Sequence, residues 1–199
     1  MQLRAILASR RMVRSFDATP VDLDWLEGLC ADALRAPTAG NTAGVFMYTV
    51  GAADVATYMT LSTDESWRKE ANRAPGLTRA GGVVLVTSSP QLYANRYSED
   101  DKANSGLGDL STWPLPYWHT DAAMATMALL LLLEEANWQA TLWGSFRRTS
   151  EVLSWIGAGP DEELFGAVLV GRSDGKDVRS RSLDRDVPTR KHRVRRVTT

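Results

Sequence analysis

The apolar stretch "AAMATMALLLLL", residues 122 to 133, constrains the fold of this chain more than any other segment. Twelve residues of helix are too few to cross a bilayer, and the two glutamates that follow end the run. Protein must therefore cover this stretch, and we predict a buried core helix over residues 119–137. The N-terminus lacks the long apolar region of a secretory signal, so we expect a soluble, cytoplasmic protein with no membrane partner.

Helical and strand patterns interleave along the rest of the chain. Helices are predicted over residues 2–9, 19–37, 52–73 (interrupted by "LSTDES") and 149–157, the last capped by Thr149 or Ser150 and ended by Gly157. Strands are predicted over residues 45–50, 81–89, 139–146 and 164–172. This order predicts a sheet flanked by helices, either α/β or α+β, and 199 residues fit one domain. Residues 90–118 look irregular, and such a long loop is usually functional or a lid.

Charge is unevenly distributed, although the net charge is only -1. Residues 1–16 contain four arginines and no acid, and residues 172–199 contain ten basic residues and four acids. Basic ends of this kind can bind nucleic acid. However, no zinc finger, helix-turn-helix signature or aromatic-interleaved basic strand accompanies them. We therefore do not expect a nucleic-acid partner.

The basic N-terminal segment "SRRMVRSF" places Arg10, Arg11 and Arg14 within five positions. Guanidinium groups this close repel one another unless an anion lies among them, and a partly buried phosphate would accept charge-assisted, bidentate hydrogen bonds. A second group, Arg179 and Arg181 in "RSRSL", would point to one side of an extended segment. The spacing leaves two interpretations open, a solvated basic patch or two clamps on one phosphate.

Side chains for acid-base or nucleophilic chemistry are scarce. Cys30 falls on the apolar face of its predicted helix, which indicates an inert core thiol, and a single cysteine excludes an intramolecular disulfide. His119 and His192 are the two histidines. No nucleophile elbow, paired-histidine metal motif or dinucleotide fingerprint is present. If this chain is an enzyme, we expect a cofactor to supply the chemistry.

Four segments, in order, resemble the nitroreductase family of FMN-dependent oxidoreductases. "RRMVRSFDATPVDLDWLEGLCADALRAPTAGN" is similar to the family's "RRSxRxF" segment, helix and "APSxxNxQPW" loop. "DAAMATMALLLLLEEANWQATLWGSF" resembles its central helix with the strand and loop behind the flavin. "LFGAVLVGRS" and "RSRSLDRDV" resemble its last core strand and its basic C-terminal segment. The resemblance implies an α+β three-layer sandwich with a mostly antiparallel sheet, in an intertwined homodimer.

The resemblance also implies which residues bind FMN. Its phosphate and ribityl chain would be held by Arg10, Arg11, the Met12 backbone and Arg14, with Arg179 and Arg181 closing on the phosphate. The loop placed against the flavin of the neighbouring subunit corresponds to Pro37, Thr38 and Asn41. The backbone amides near the flavin ring correspond to Trp143, Gly144 and Ser145. No catalytic side chain and no metal site is implied, because stabilising negative charge on the flavin is the main task left to the protein.

The implied reaction is ping-pong hydride transfer from NAD(P)H, through FMN, to a small-molecule acceptor such as an aromatic or quinone-like compound. The sequence departs from the family at Met12, Ala43, Gly44 and Val45, which thins polar contacts to the flavin or widens the pocket above it. Two alternatives therefore stay open. One is a specialised flavin-dependent dehydrogenase or oxidase of a peptide-like or natural-product substrate. The other is a non-catalytic protein that binds an anion or nucleic acid.

The remaining expectations concern the periphery of the domain. Residues 90–118 would form a variable cap over the flavin, and residues 172–199 a basic C-terminal extension of a single 1–199 domain. Several aromatic residues around the cap are candidates to stack on a substrate: Tyr93, Tyr97, Trp113, Tyr117 and Trp118. The apolar helix and seven tryptophans supply more apolar surface than one small sheet needs, which favours a homodimer.

Overall fold

A computed structural model of the chain describes residues 2–71, 74–145, 147–177, 180–187 and 193–197. Its helices are α1 (Leu3–Ser9), α2 (Leu23–Ala33), α3 (Val55–Ser62), α4 (Glu65–Glu70), α5 (Ala74–Leu77), α6 (Pro90–Tyr97), α7 (Tyr117–Glu135) and α8 (Thr149–Ile156). Its strands are β1 (Val45–Gly51), β2 (Gly82–Ser88), β3 (Gln139–Trp143) and β4 (Glu163–Gly171). Short 3-10 turns cover Ala39–Asn41, Ala52–Asp54, Ala103–Ser105, Leu110–Thr112 and Arg181–Asp184.

The four strands form one sheet in the order β1-β2-β4-β3, and every neighbouring pair is antiparallel. All of β2 is buried, as its run of β-branched residues between glycine and serine predicts. Because side chains alternate between the faces of a strand, Val84 and Val86 face one layer of helices, and Val83 and Leu85 face the other. The fold is therefore an α+β three-layer sandwich, as predicted.

Helices α2 and α7 cover one face of the sheet, and α3, α5 and α8 contribute to the core on the other. The predicted core helix is α7, whose Leu129 and Leu133 are fully buried. It starts at Tyr117 and ends at Glu135, two residues earlier at each end than the sequence pattern predicts. None of the helices in the described ranges is both long enough and apolar enough to cross a membrane.

The N-terminal arm, residues 10–17, runs along the outer edge of β3. Met12 forms a parallel bridge with Ala140, and the Val13 N–H donates to the Ala140 carbonyl at 3.0 Å. Phe16 then pairs with Ser173 beyond the end of β4, and its ring is fully buried. The ring packs so closely on β4 that a Cβ at Gly171 would lie 2.7 Å from Phe16 Cδ1. The arm is thereby fixed to the sheet at both of its ends.

Two local expectations were wrong. Residues 90–118 are not wholly irregular, because α6 occupies Pro90–Tyr97, started by Pro90 at its N-terminus and by the Ser89 hydroxyl, which accepts from the Leu92 N–H. The residue before α8 is Arg148 in a left-handed conformation (φ 52°), and no side chain caps this helix. Its C-terminal residue, Gly157, is left-handed as predicted (φ 68°).

The burial of Phe16 predicts the effect of truncating it. Phe16→Ala would leave a cavity between the arm and β4, and we expect the free energy of unfolding to fall by about 3–5 kcal/mol. Urea denaturation measures this change. Leu7→Ala is the control, because Leu7 in α1 is 50% exposed and should cost less than about 1 kcal/mol. Equal losses for the two variants would contradict this account of the arm.

Candidate functional site

The arginines of the N-terminal arm lie along the edge of β3. Arg10 is partly buried, and its Nε and Nη1 atoms are inaccessible to solvent and have no hydrogen-bond partner among the described residues. Arg14 donates from Nη1 to the Met12 carbonyl at 3.1 Å, and Arg11 is exposed. None of the three forms an ion pair with a described residue. No carboxylate of the described residues therefore pairs directly with any of these three positive charges.

An unpartnered guanidinium at this depth is unfavourable, because burial removes its hydration and the protein returns no acceptor. A phosphate would offset this cost of desolvation, because its oxygens accept charge-assisted hydrogen bonds from several donors at once. The donor set at Arg10, Arg11 and Arg14 therefore fits a phosphate or another multiply charged anion. The Met12 carbonyl, which accepts from Arg14, and the Met12 thioether are hydrogen-bond acceptors and cannot donate to such a group. The thioether sulfur instead accepts from the Leu142 N–H at 3.4 Å.

Gly144 and Ser145 follow the end of β3, the strand that the arginine arm borders. Neither of their backbone N–H groups donates to a carbonyl of a described residue. The Ser145 hydroxyl is buried and shares a hydrogen bond of 2.9 Å with the Tyr58 hydroxyl of α3. Burial raises the pKa of Tyr58, so this partner is a neutral phenol. Neither N–H group therefore has a partner among the described carbonyls, and the Ser145 side chain holds this segment against α3.

A cavity of about 300 Å³ opens beside this turn. Two indole rings form one wall, those of Trp67 in α4 and Trp143, with centroids 5.2 Å apart in an edge-to-face arrangement. The Trp143 Nε1 atom is buried without a described partner. Asp64 and Arg147, which form an ion pair, also line the cavity. The cavity can therefore accommodate a flat apolar ring and offers donors at its edge.

The 36–44 loop, which contains Pro37, Thr38 and Asn41, precedes β1 at the opposite edge of the sheet. Pro37 and Asn41 are exposed, and neither the Thr38 nor the Asn41 side chain hydrogen-bonds to a described residue. Asn41 has a left-handed conformation (φ 57°), as does Gly40 before it (φ 65°). These side chains are displayed on a sharply turned backbone and directed away from the protein's own hydrogen-bond network.

The two groups of predicted site residues lie at opposite edges of the sheet. The arginine arm borders β3 and the 36–44 loop enters β1, the two edges of a four-stranded sheet. Neighbouring strands lie about 4.8 Å apart, so the two edges are separated by about 14 Å. However, the antiparallel order puts the start of β1 and the end of β3 at the same end of the sheet. The loop and the Gly144 turn therefore face the same side of the molecule from opposite edges.

The cap aromatics pack on one another rather than lining an open site. Trp113 is at the centre, with its ring centroid 4.8 Å from that of Tyr97 and 5.7 Å from that of Tyr117. Tyr93 is fully buried beneath it, and Trp118 donates from Nε1 to Glu163 at 3.1 Å. Of the five candidates, Tyr117 is the one that is notably exposed. The aromatic side chains of the cap therefore form a small cluster in which the rings pack on one another.

Other chemistry-bearing residues are structural or lie outside the described ranges. Cys30 is buried, and burial raises its pKa to about 12, which confirms an inert thiol. His119 Nε2 lies 3.0 Å from Glu163 Oε2 and joins α7 to β4. Arg179 and His192 fall outside the described residues, and only the backbone of Arg181 is described. Among described residues, no group of His, Cys, Asp and Glu side chains could hold a metal ion.

Sequence reasoning missed several residues around the site. Tyr58 and Trp67 lie in helices whose sequence patterns indicate only an apolar face. The sequence therefore did not identify either residue as part of a site. Asp121 is 1% exposed in α7, where its carboxylate accepts from the Ala39 N–H of the 36–44 loop at 2.8 Å. An acid within a strongly apolar helix is the one signal that could have identified this residue.

The arrangement is that of an α+β protein with three arginines at one sheet edge that form no ion pair with a described residue, and with an aromatic cavity at the end of β3. The sequence profile of the nitroreductase family matches residues 7–172. This match covers most of the chain, which therefore belongs to the nitroreductase family, a family of oxidoreductases. Among curated proteins, none matches the chain.

Solved structures of low sequence identity share the fold. A nitroreductase family protein from Streptococcus pneumoniae TIGR4 superposes with a TM-score of 0.71 at 15% identity, over 94% of this chain and 96% of that one. Nitroreductase CinD from Lactococcus lactis, solved with chloramphenicol, gives 0.70 at 16% identity, over 95% and 100%. A protein of Exiguobacterium sibiricum 255-15, described as a nitroreductase and crystallised with FMN, gives 0.65 at 16% identity, over 94% and 98%.

The unpartnered guanidinium predicts a change in stability of the ligand-free protein. Arg10→Met keeps the aliphatic stem but removes a partly buried charge, and we expect the free energy of unfolding to rise by about 1–3 kcal/mol. Urea denaturation of protein stripped of ligand measures this. The matched control is Arg11→Met, which removes an exposed charge and should change stability by less than about 0.5 kcal/mol. A loss of stability in Arg10→Met would reveal a structural role for this side chain.

Proposed function

We propose that this protein is an FMN-dependent oxidoreductase whose phosphate site is formed by Arg10, Arg11 and Arg14. The observation that carries the proposal is that Arg10 Nε and Nη1, at the edge of β3, are inaccessible to solvent and have no hydrogen-bond partner among the described residues. An FMN phosphate would supply the missing acceptors, and the Met12 backbone would lie along the ribityl chain. Arg179 and Arg181 are proposed, from the family resemblance, to close on the phosphate from the other side.

The free N–H groups of Gly144 and Ser145 would lie near the flavin ring, next to Trp143. The chemistry that bound FMN supplies is ping-pong transfer, in which a hydride taken from NAD(P)H is passed on to an aromatic or quinone-like acceptor. Backbone N–H groups fixed in place favour negative charge on the ring without any reorganisation. The hydrogen bond between Ser145 and Tyr58 holds this turn in position.

The acceptor would occupy the cavity lined by Trp67 and Trp143. Its volume of about 300 Å³ suits a small ring compound, and the indole faces favour flat aromatic or quinone-like molecules over aliphatic ones. The Trp143 N–H, which lacks a described partner, can donate to an acceptor oxygen. No side chain of the cavity is needed as a general base.

A homodimer would complete the site. Pro37, Thr38 and Asn41 would contact the flavin bound to the partner subunit, because in one chain they lie across the sheet from the arginine arm. Exposed apolar side chains on α7 support this, since Met124 and Met127 are 39% and 37% exposed. Leu34, at the start of the segment that leads into the loop, is also 39% exposed. Exposed apolar surface of this kind is typical of a subunit interface.

A second candidate function keeps FMN but changes the substrate. The family's glutamine, proline and tryptophan of the 36–44 loop region are replaced by Ala43, Gly44 and Val45. The space at Gly44 is filled by Tyr93, since a Cβ there would lie 2.5 Å from Tyr93 Cε2. This altered loop favours a specialised dehydrogenase or oxidase that takes electrons from a peptide-like or natural-product substrate and passes them to oxygen.

The visible spectrum of the purified protein tests the proposal. We expect flavin absorbance bands that copurify or appear on adding FMN, and that bleach when NADH or NADPH is added without oxygen. Bands that persist with both nicotinamides would favour the specialised dehydrogenase. A protein that stays colourless with excess FMN would contradict flavin binding and favour a non-catalytic anion-binding or nucleic-acid-binding protein. Free FMN without protein is the control for nonenzymatic reduction.

A further inference from the structure

Asp121 of α7 and Arg96 of the cap each hydrogen-bond to the backbone of the 36–44 loop. Asp121 of α7 accepts two hydrogen bonds on Oδ2, from the Ala39 N–H and from the Tyr93 hydroxyl, both at 2.8 Å. Arg96 of α6 donates from Nε to the Gly40 carbonyl at 2.9 Å. The bonds from Asp121 and Arg96 fix the Ala39 N–H and the Gly40 carbonyl, which belong to successive residues at the centre of the loop.

Packing fixes the same loop from the side of the cap. A Cβ at Gly40 would lie 2.7 Å from Tyr97 Cε2, and Gly40 also has a positive φ of 65°, so glycine is needed there for two reasons. Gly44, at the end of the loop, lies directly against the ring of Tyr93. Gly40 and Gly44 of the loop therefore leave space for two tyrosine rings of α6, those of Tyr97 and Tyr93 respectively.

The hydrogen bond from Tyr93 to Asp121 is buried and well defined. Burial, and then the hydrogen bond to the neighbouring carboxylate, raise the pKa of Tyr93, so the phenol keeps its proton and donates it. With this donor and the Ala39 N–H, the inner oxygen of Asp121 is satisfied within the protein. Such a buried carboxylate keeps its position only while its donors remain, because an unmet charge at 1% exposure is costly.

We propose that Asp121, with Tyr93 and Arg96, positions the 36–44 loop so that Thr38 and Asn41 are presented in the geometry that flavin binding requires. This inference rests on the proposed function, in which the loop contacts the flavin of the partner subunit. Asp121 and Tyr93 act through the loop and are positioning residues. Arg96 is itself held by a fork of hydrogen bonds to Asp101, at 2.6 and 2.7 Å, which ties the loop to the rest of the cap.

Tyr93→Phe tests this role with the loss of one hydroxyl and no change in ring packing. We expect faster amide hydrogen exchange in a peptide spanning 36–44, and FMN affinity weakened about threefold to tenfold, the equivalent of one lost hydrogen bond. Arg96→Lys keeps the charge beside Asp101 but loses the Nε donor, and it should change both quantities in the same direction. The visible circular dichroism of bound flavin should also change in both variants, which a purely structural role in the cap would not produce.

Tyr48→Phe is the matched control. The Tyr48 hydroxyl also donates to a carboxylate at 2.8 Å, that of Glu162, but it contacts nothing in the 36–44 loop. This variant should leave amide hydrogen exchange in the loop, FMN affinity and the dichroism of bound flavin unchanged.

If Tyr93→Phe leaves amide hydrogen exchange in the loop at the wild-type rate, the positioning role is wrong. If exchange rises but FMN affinity and dichroism stay at wild-type values, the link to the flavin is wrong. Failure of the proposed function is separate, because wild-type protein would then not bind FMN.

Discussion

The attachment of the N-terminal arm to the edge of β3 is the interaction on which the proposed site depends. The bridge between Met12 and Ala140, followed by the burial of Val13 and Phe16, fixes the backbone that carries three arginines. Apolar burial of these two side chains stabilises a segment whose charges would otherwise favour solvent. The arm can hold these guanidinium groups at the sheet edge because Val13 and Phe16, on either side of Arg14, are anchored in the core.

The sequence predicted the sheet and the central helix well, because both depend on local patterns. β2 and β4 contain the apolar runs 83–86 and 167–170, and α7 contains an apolar run whose inner face is buried. The cap helix was missed because "PQLYANRY" has little apolar character, and it is held by the Ser89 cap and by burial of Tyr93 and Ala94. The left-handed backbone conformation of Arg148 before α8 was also not predicted, because no sequence pattern indicates that conformation for an arginine.

The site was predictable to the extent that it depends on spacing along the chain. Three arginines in five residues left a solvated basic patch and an anion site both open, and the structure adds that Arg10 Nε and Nη1 are inaccessible to solvent and lack a described partner. The contacts that shape the 36–44 loop join residues far apart in sequence, such as Ala39 and Asp121. Nothing local distinguishes Asp121 as a hydrogen-bond acceptor for a loop 82 residues away. The space at Gly44, expected to widen the pocket, is instead filled by Tyr93.

A comparison of FMN with riboflavin tests the central claim most directly, because the two ligands differ by the phosphate alone. Charge-assisted hydrogen bonds to two or more guanidinium donors predict that FMN binds the wild-type protein at least about 100-fold more tightly than riboflavin. In Arg10→Met this preference should shrink about tenfold or more, with riboflavin affinity unchanged. Equal affinities of the two flavins for wild-type protein, or a preference that survives in Arg10→Met, would contradict the account.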